Sequence, residues 1–201
     1  MVLGTTNSGK TTFVIELIRR MQSMYTGVPL YILDSKAAGD FAHWEAEGLW
    51  TSNDVPPPIT SGVQVWQPGV DDLHAFDNWF QGIRYAPGPA MVFVDEVSSL
   101  VKHKGDDAPH YFQVLLKQGR ALGKMVISCS QEMPYVPRQI KTQTTHIVRF
   151  RMLGTFDERE SNKLMKRDPK APEPKEEHGF FYGRTDRQGT VAEYATYKNF
   201  F

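Results

Sequence analysis

Short apolar runs alternate with stretches of helical periodicity along most of the 201-residue chain. Residues 30–33, 63–66, 90–94 and 125–129 are brief, apolar and bounded by polar residues, which predicts strands buried on both faces of a parallel sheet. Residues 1–3 end a further strand, and 146–152 form another. Between the strands the period changes. Residues 11–25 place Phe13, Val14, Leu17, Ile18, Met21 and Met24 on one helical face, and 71–84 do the same with Leu73, Phe76, Trp79, Phe80 and Ile83. Helices are also expected over 40–50, with Phe41 and Trp44 as its aromatic face, over 108–119, and over 158–166, with a helical turn at 138–142. Residues 51–61, with three successive prolines, read as a loop, and 97–107 as a polar connection. Residues 180–183 and 191–197, joined by 184–190, predict a hairpin within about 179–197. Residues 168–177 are rich in proline and charge and read as an exposed loop, not a domain boundary. The pattern is that of a single α/β domain over 1–201, a three-layer αβα sandwich around a mostly parallel sheet, closed by a C-terminal β-hairpin.

Composition adds few constraints. Lys and Arg number 23, as do Asp and Glu, so the formal net charge is zero. Bulk charge therefore offers no attraction to nucleic acid, and any such contact must come from a local patch or from several subunits together. Cys129 is the one cysteine, which excludes an intramolecular disulfide; it lies in an apolar run, where a buried, inert thiol is expected. No apolar run approaches membrane-spanning length and no signal peptide precedes residue 4, so the chain is expected to be soluble and intracellular. Three residues make a short first strand, and the natural chain is expected to extend upstream. The six histidines lack metal-ligand spacing.

Gly4-Thr5-Thr6-Asn7-Ser8-Gly9-Lys10-Thr11-Thr12 fits G-x-x-x-x-G-K-[ST], between a strand end and a helix start. A loop of this kind curls so that successive backbone N–H groups point at a polyphosphate. Lys10 then reaches the β- and γ-phosphates, Thr11 ligates Mg²⁺, and the helix aims its positive end at the anion. A glycine-rich turn that binds nothing is the bland alternative. The run 90–94 delivers Asp95 and Glu96 at its C-terminal end. There the first acid holds Mg²⁺ through water, and the second orients and deprotonates the attacking water. Lys10, Thr11, Asp95 and Glu96 together are the minimal set for Mg²⁺-dependent hydrolysis of ATP or a similar nucleotide. Asp34-Ser35-Lys36 closes the second strand, where open α/β sheets carry their sites. Gln131 ends an apolar strand, and a site role or a strand-end turn would each explain it. Lys102, His103 and Lys104 are the densest basic cluster near the strand ends, either a solvated loop or a contact for DNA phosphates in a ring.

The motif set GTTNSGKTT, Asp34-Ser35-Lys36, VFVDE and Gly119-Arg120-Ala121-Leu122-Gly123 leading into VISCSQ resembles the FtsK/HerA superfamily of P-loop ATPases, which have a RecA/FtsK-like core. Within it, the chain is most similar in look to the genome-packaging ATPases of tailless, membrane-containing double-stranded DNA viruses. The resemblance spans roughly residues 1–164. It implies that Gln131 senses the γ-phosphate and that Arg120 acts on a neighbouring subunit's nucleotide, with Arg151 and Arg159 as rival fingers. It also implies a homo-oligomeric ring, usually hexameric, around duplex DNA, with capsid-vertex or membrane proteins as further partners and association with the virion. The function expected is an ATP-driven DNA translocase that fills a capsid. A nucleotide-dependent assembly or scaffold ATPase is one alternative. A small-molecule kinase is another; it would want an arginine-rich lid, to which Arg138 and Lys141 are a sparse approach.

Overall fold

The computed structural model describes residues 1–36, 41, 44, 48–51, 54–69, 72–168, 170, 172–176, 178–186, 189–196 and 200. In chain order the elements are β1 (Val2–Leu3), α1 (Lys10–Met24), β2 (Leu30–Leu33), β3 (Gly48–Thr51), β4 (Val63–Trp66), α2 (Leu73–Tyr85) and β5 (Ala90–Val94). Then follow α3 (His110–Leu122), β6 (Lys124–Ser130), α4 (Arg138–Gln143), β7 (His146–Arg149), α5 (Thr155–Leu164), β8 (Phe180–Asp186) and β9 (Gly189–Ala195). The described strands form one sheet in the order β3-β4-β2-β5-β6-β1-β7-β8-β9. Strands β3 to β7 pair in parallel. The hairpin β8–β9 adds two antiparallel strands at the β7 edge.

The sheet is covered on both faces, which is why its strands are continuously apolar. Alternate residues serve opposite layers. Tyr31, Leu33, Ala90, Val92 and Val94 join a core with α2 and α3 through Phe76, Trp79, Phe80, Phe112 and Leu115. Leu30, Ile32, Met91 and Phe93 join a second core with α1 through Phe13, Val14, Ile18 and Met21. Helix α2 starts where the Asp72 carboxylate accepts from the N–H groups of His74 and Ala75, at 2.9 and 3.3 Å.

The fold expected from the sequence is the fold observed, with local differences. The strand expected over 146–152 ends at Arg149, and the hairpin strands run Phe180–Asp186 and Gly189–Ala195, taking in most of the expected 184–190 connection. Residues 48–51, read partly as helix, are an edge strand paired with β4. The open sheet edge supplies hydrogen bonds that outweigh a marginal helical period, and Trp50 and Thr51 favour a pleated surface. The remainder of the expected 40–50 helix lies outside the described residues, apart from Phe41 and Trp44, whose rings stack at 6.0 Å in the α1-side core. The connection after β5 is not simply polar: Val97–Leu100 forms a 3-10 turn that buries Val97 and Leu100. Helix α3 continues past Gly119 to Leu122, so Arg120 lies in its last turn. Gly119 stays helical because the helix lies so close to β6 that an added Cβ would stand 2.6 Å from the Lys124 carbonyl oxygen. The helix stops at Gly123, whose φ of 67° is left-handed. Finally, residues 155–164, not 158–166, form α5, begun one turn earlier by the acidic pair Asp157 and Glu158 in the first turn.

Candidate active site

Strand β6 lies between β1 and β5, all three parallel. Their C-terminal ends therefore open on one edge, with Gln131 between the P-loop that follows β1 and the acid pair that follows β5. Gly4 N–H donates to the Ser130 carbonyl at 3.2 Å and Thr5 N–H to the Arg151 carbonyl at 3.0 Å. The loop is thus stapled to both neighbouring strands. Gly4 is required by space, since an added Cβ would stand 2.7 Å from Phe150 Cβ. Gly9 caps α1 with φ of 97°, which needs glycine.

Within the loop, the Lys10 ammonium donates to the Thr5 carbonyl at 2.8 Å. Burial lowers its pKa from the ordinary lysine value, opposed by nearby acids. A polyphosphate would offer this cation a better partner than a neutral carbonyl. Ser8 Oγ is buried with no hydrogen-bond partner among the described residues, as expected of a loop built to receive acceptor oxygens. Thr6 Oγ1 donates to Gln131 Oε1 at 2.8 Å.

Asp95 and Glu96 are both buried. Lys36 from the end of β2 lies between them, its Nζ 3.3 Å from Asp95 Oδ2 and 3.5 Å from Glu96 Oε2. Burial works against the Lys36 charge, but the two carboxylates outweigh it and raise its pKa. Glu96 Oε1 also accepts from Ser98 N–H at 3.4 Å. Asp34 is held by Gln67, whose amide donates to Oδ2 at 2.7 Å. Of the Asp34-Ser35-Lys36 trio, Lys36 therefore belongs to this cluster. Gln67, at the end of β4, was not singled out from sequence; its position at a strand's carboxyl end was the available signal. Cys129 is buried beneath, and burial pushes its thiol far up, so it is neutral and inert.

Among the described residues no group of three or more His, Cys, Asp or Glu could hold a metal. A magnesium site of P-loop type does not need one, because one hydroxyl and one carboxylate suffice beside water and phosphate. Asp95, already paired with a cation in Lys36, is the carboxylate that would serve, and Thr11, the second residue of α1, is the hydroxyl that the loop motif offers. The Lys36 ammonium is a stand-in cation there: two buried carboxylates side by side demand positive charge.

The three arginines fall in different places. Arg120 is exposed on α3, below the N-terminal end of β6 and so opposite to Gln131. It borders a cleft of about 760 Å³ with Leu17, Met21, Leu116 and Met125. Arg151 follows β7, exposed, with its backbone on the P-loop. Arg159 is exposed on α5, which is docked through Asp157 accepting from Met133 N–H at 2.8 Å. Of the sparse kinase-like lid, Lys141 is committed to the Met133 carbonyl at 2.8 Å. Lys102, His103 and Lys104 are exposed beyond the 3-10 turn, and the Lys104 ammonium stands 5.0 Å above the Phe156 ring.

One contact had no sequence signal. The His178 ring, 169 positions from Gly9, fills the space a side chain at Gly9 would take: an added Cβ would stand 3.0 Å from His178 Nδ1.

Among the described residues, no helix is long and apolar enough to cross a membrane. No protein-family model matches the chain. No curated protein matches it either. Solved structures do. The genome packaging NTPase B204 from Sulfolobus turreted icosahedral virus 2, in complex with AMPPCP, is 14% identical with a TM-score of 0.76, covering 97% of this chain and 95% of that one. B204, the DNA-packaging ATPase from Sulfolobus turreted icosahedral virus, is 13% identical with a TM-score of 0.75 and the same coverage. The EssC ATPases 2 and 3 from Geobacillus thermodenitrificans match at 10% identity and a TM-score of 0.63, covering 97% of this chain but 39% of that one. The chain has the RecA/FtsK-like P-loop NTPase fold that these structures share.

Proposed function

We propose that the protein hydrolyses ATP and uses the energy to move double-stranded DNA, as a genome-packaging motor working in a homo-oligomeric ring. The observation that carries the hydrolytic part is the insertion of β6 between β1 and β5, which sets Gln131 against Thr6 with Asp95 and Glu96 alongside. The packaging part is supported by likeness over nearly the whole of both chains to the B204 packaging NTPases.

The P-loop N–H groups cradle the phosphates. Lys10 leaves the Thr5 carbonyl for the β- and γ-phosphates. Thr11 and Asp95 would hold Mg²⁺, which would supply neutralisation of the charge on the phosphate oxygens. Lys36 gives up its place between the acids. Glu96 then orients a water and takes its proton as the water oxygen attacks the γ-phosphorus and the bond to the β-bridging oxygen breaks. ADP leaves with that bridging oxygen, and Gln131 registers the presence or loss of the γ-phosphate through Thr6.

A ring would multiply the exposed Lys102 and Lys104 around a pore, so a chain of zero net charge could still hold DNA. The test is ATP hydrolysis with and without duplex DNA. A motor responds strongly, and replacing both lysines with alanine weakens that response while sparing basal turnover. Hydrolysis indifferent to DNA favours the second reading, an assembly ATPase.

A further inference from the structure

We propose that His178 forms part of the pocket for the nucleoside end of the bound nucleotide, an inference that rests on the hydrolytic reading above. A nucleotide in this site has a fixed direction. Its γ end must face Asp95, Glu96 and Gln131, which all lie on the β6 side of β1. The sugar and base must then leave on the other side, toward β7 and the chain that precedes β8. His178 stands there, against Gly9 at the start of α1.

Described residues on both sides of it are anchored. Upstream, the Glu173 carboxylate pairs with the buried Arg149 guanidinium and accepts from Met152 N–H at 3.0 Å. Pro174 is buried, and Gly179 N–H donates to the Glu176 carbonyl at 3.0 Å. Downstream, the Phe180 ring packs 5.1 Å from Phe13 in the first turn of α1 and 5.1 Å from Phe150. His178 itself has φ of 59°, a left-handed conformation uncommon for a residue with a side chain. The ring is therefore an exposed aromatic surface fixed beside the phosphate loop by anchors on both sides. An imidazole in that place offers a face on which a base can stack.

The experiment measures binding of ATP and of inorganic tripolyphosphate, each with magnesium, to the full chain. His178→Asn removes the ring, yet asparagine tolerates the left-handed backbone. Stacking of a base on an aromatic side chain predicts that this variant binds ATP about 5- to 50-fold more weakly. Tripolyphosphate binding should be unchanged, because it has no nucleoside. His178→Phe should restore most of the ATP affinity, and KM for ATP should move with little change in kcat. Equal weakening of both ligands would make His178 a support for the loop and overturn the assignment, as would ATP binding that His178→Asn leaves intact. A wild-type protein that binds neither ligand would instead overturn the nucleotide-hydrolysis reading, and this inference with it.

Discussion

Thr6 and Gln131, 125 positions apart in sequence, meet in a 2.8 Å hydrogen bond that joins the P-loop to the end of β6. A γ-phosphate bound in the loop would lie against this bond. Gln131→Ala is expected to slow hydrolysis about 10²-fold, the usual weight of one positioned donor in such a site. Nucleotide affinity should stay within a few-fold. Single-turnover kinetics beside equilibrium binding separates the two effects.

Glu96→Gln keeps the shape of the site and removes the base. Turnover should fall by about 10²–10⁴-fold while ATP remains bound. Lys10→Ala should abolish binding instead, since the main positive partner of the phosphates is lost. Wild-type turnover by Glu96→Gln would remove Glu96 from the role of base.

Lys36→Met leaves Asp95 and Glu96 as adjacent buried carboxylates without their cation. Like charges in that position repel, and the cost of an uncompensated buried charge runs to several kcal/mol. The nucleotide-free protein should melt lower than wild type, and millimolar magnesium alone should recover part of the loss. The wild type should respond much less to the metal. Differential scanning fluorimetry reads both.

Arg120 lies at the end of the sheet away from its own P-loop, so in the proposed ring it would act on a neighbour's nucleotide and not on its own. Arg120→Ala and Glu96→Gln proteins should each be nearly inactive, and mixing them should return part of the activity through interfaces intact on both sides. Full DNA-stimulated turnover by Arg120→Ala would leave Arg120 as a cation at the C-terminal end of α3 and turn attention to Arg151, whose backbone touches the P-loop.

Lys124 is buried at the start of β6 and donates to the carbonyls of Ala86 and Gly88, at 2.9 and 2.7 Å. Lys124→Met leaves both acceptors without the ammonium and should cost about 1–3 kcal/mol. Burial, with Arg84 nearby, lowers the Lys124 pKa below the ordinary 10.5. The unfolded chain then holds more protons than the folded one between the lowered value and 10.5, so stability rises with pH across that window. The difference in urea midpoint between wild type and variant should therefore widen as pH approaches 10.5 from below.

Much of this arrangement is legible in the sequence because each part is local. Gly4 to Thr12 is a contiguous motif, and Asp95-Glu96 ends a run of five apolar residues. Strands buried on both faces announce themselves by continuous hydrophobicity, and α1 and α2 by their periodic faces. What failed was non-local. Residues 48–51 became a strand because β4 had a free edge beside it, and nothing within the segment records that neighbour. Gly119 looks like a stop, but its missing side chain serves the packing of α3 on β6. Lys36 could be placed at a strand end but not between two particular carboxylates. Residues 168–177 look like an exposed loop by composition, whereas Glu173 pairs with Arg149 of β7 and Pro174 is buried, and the nearby His178 lies against Gly9 of the P-loop.

The place of β1 in the sheet has a consequence for the order in which the protein is made. This strand precedes the other strands of the sheet in sequence, yet its two hydrogen-bonding neighbours are residues 124–130 and 146–149. A nascent chain that stops short of them contains the whole phosphate-binding motif and has nothing to set it against. A nucleotide held in that motif could therefore assist folding only after β6 and β7 have been made, and long-range parallel pairing of this kind is slow. Until then the apolar strands β2, β4 and β5 can pair among themselves, leaving an open β5 edge that β6 must cover before any stray strand does.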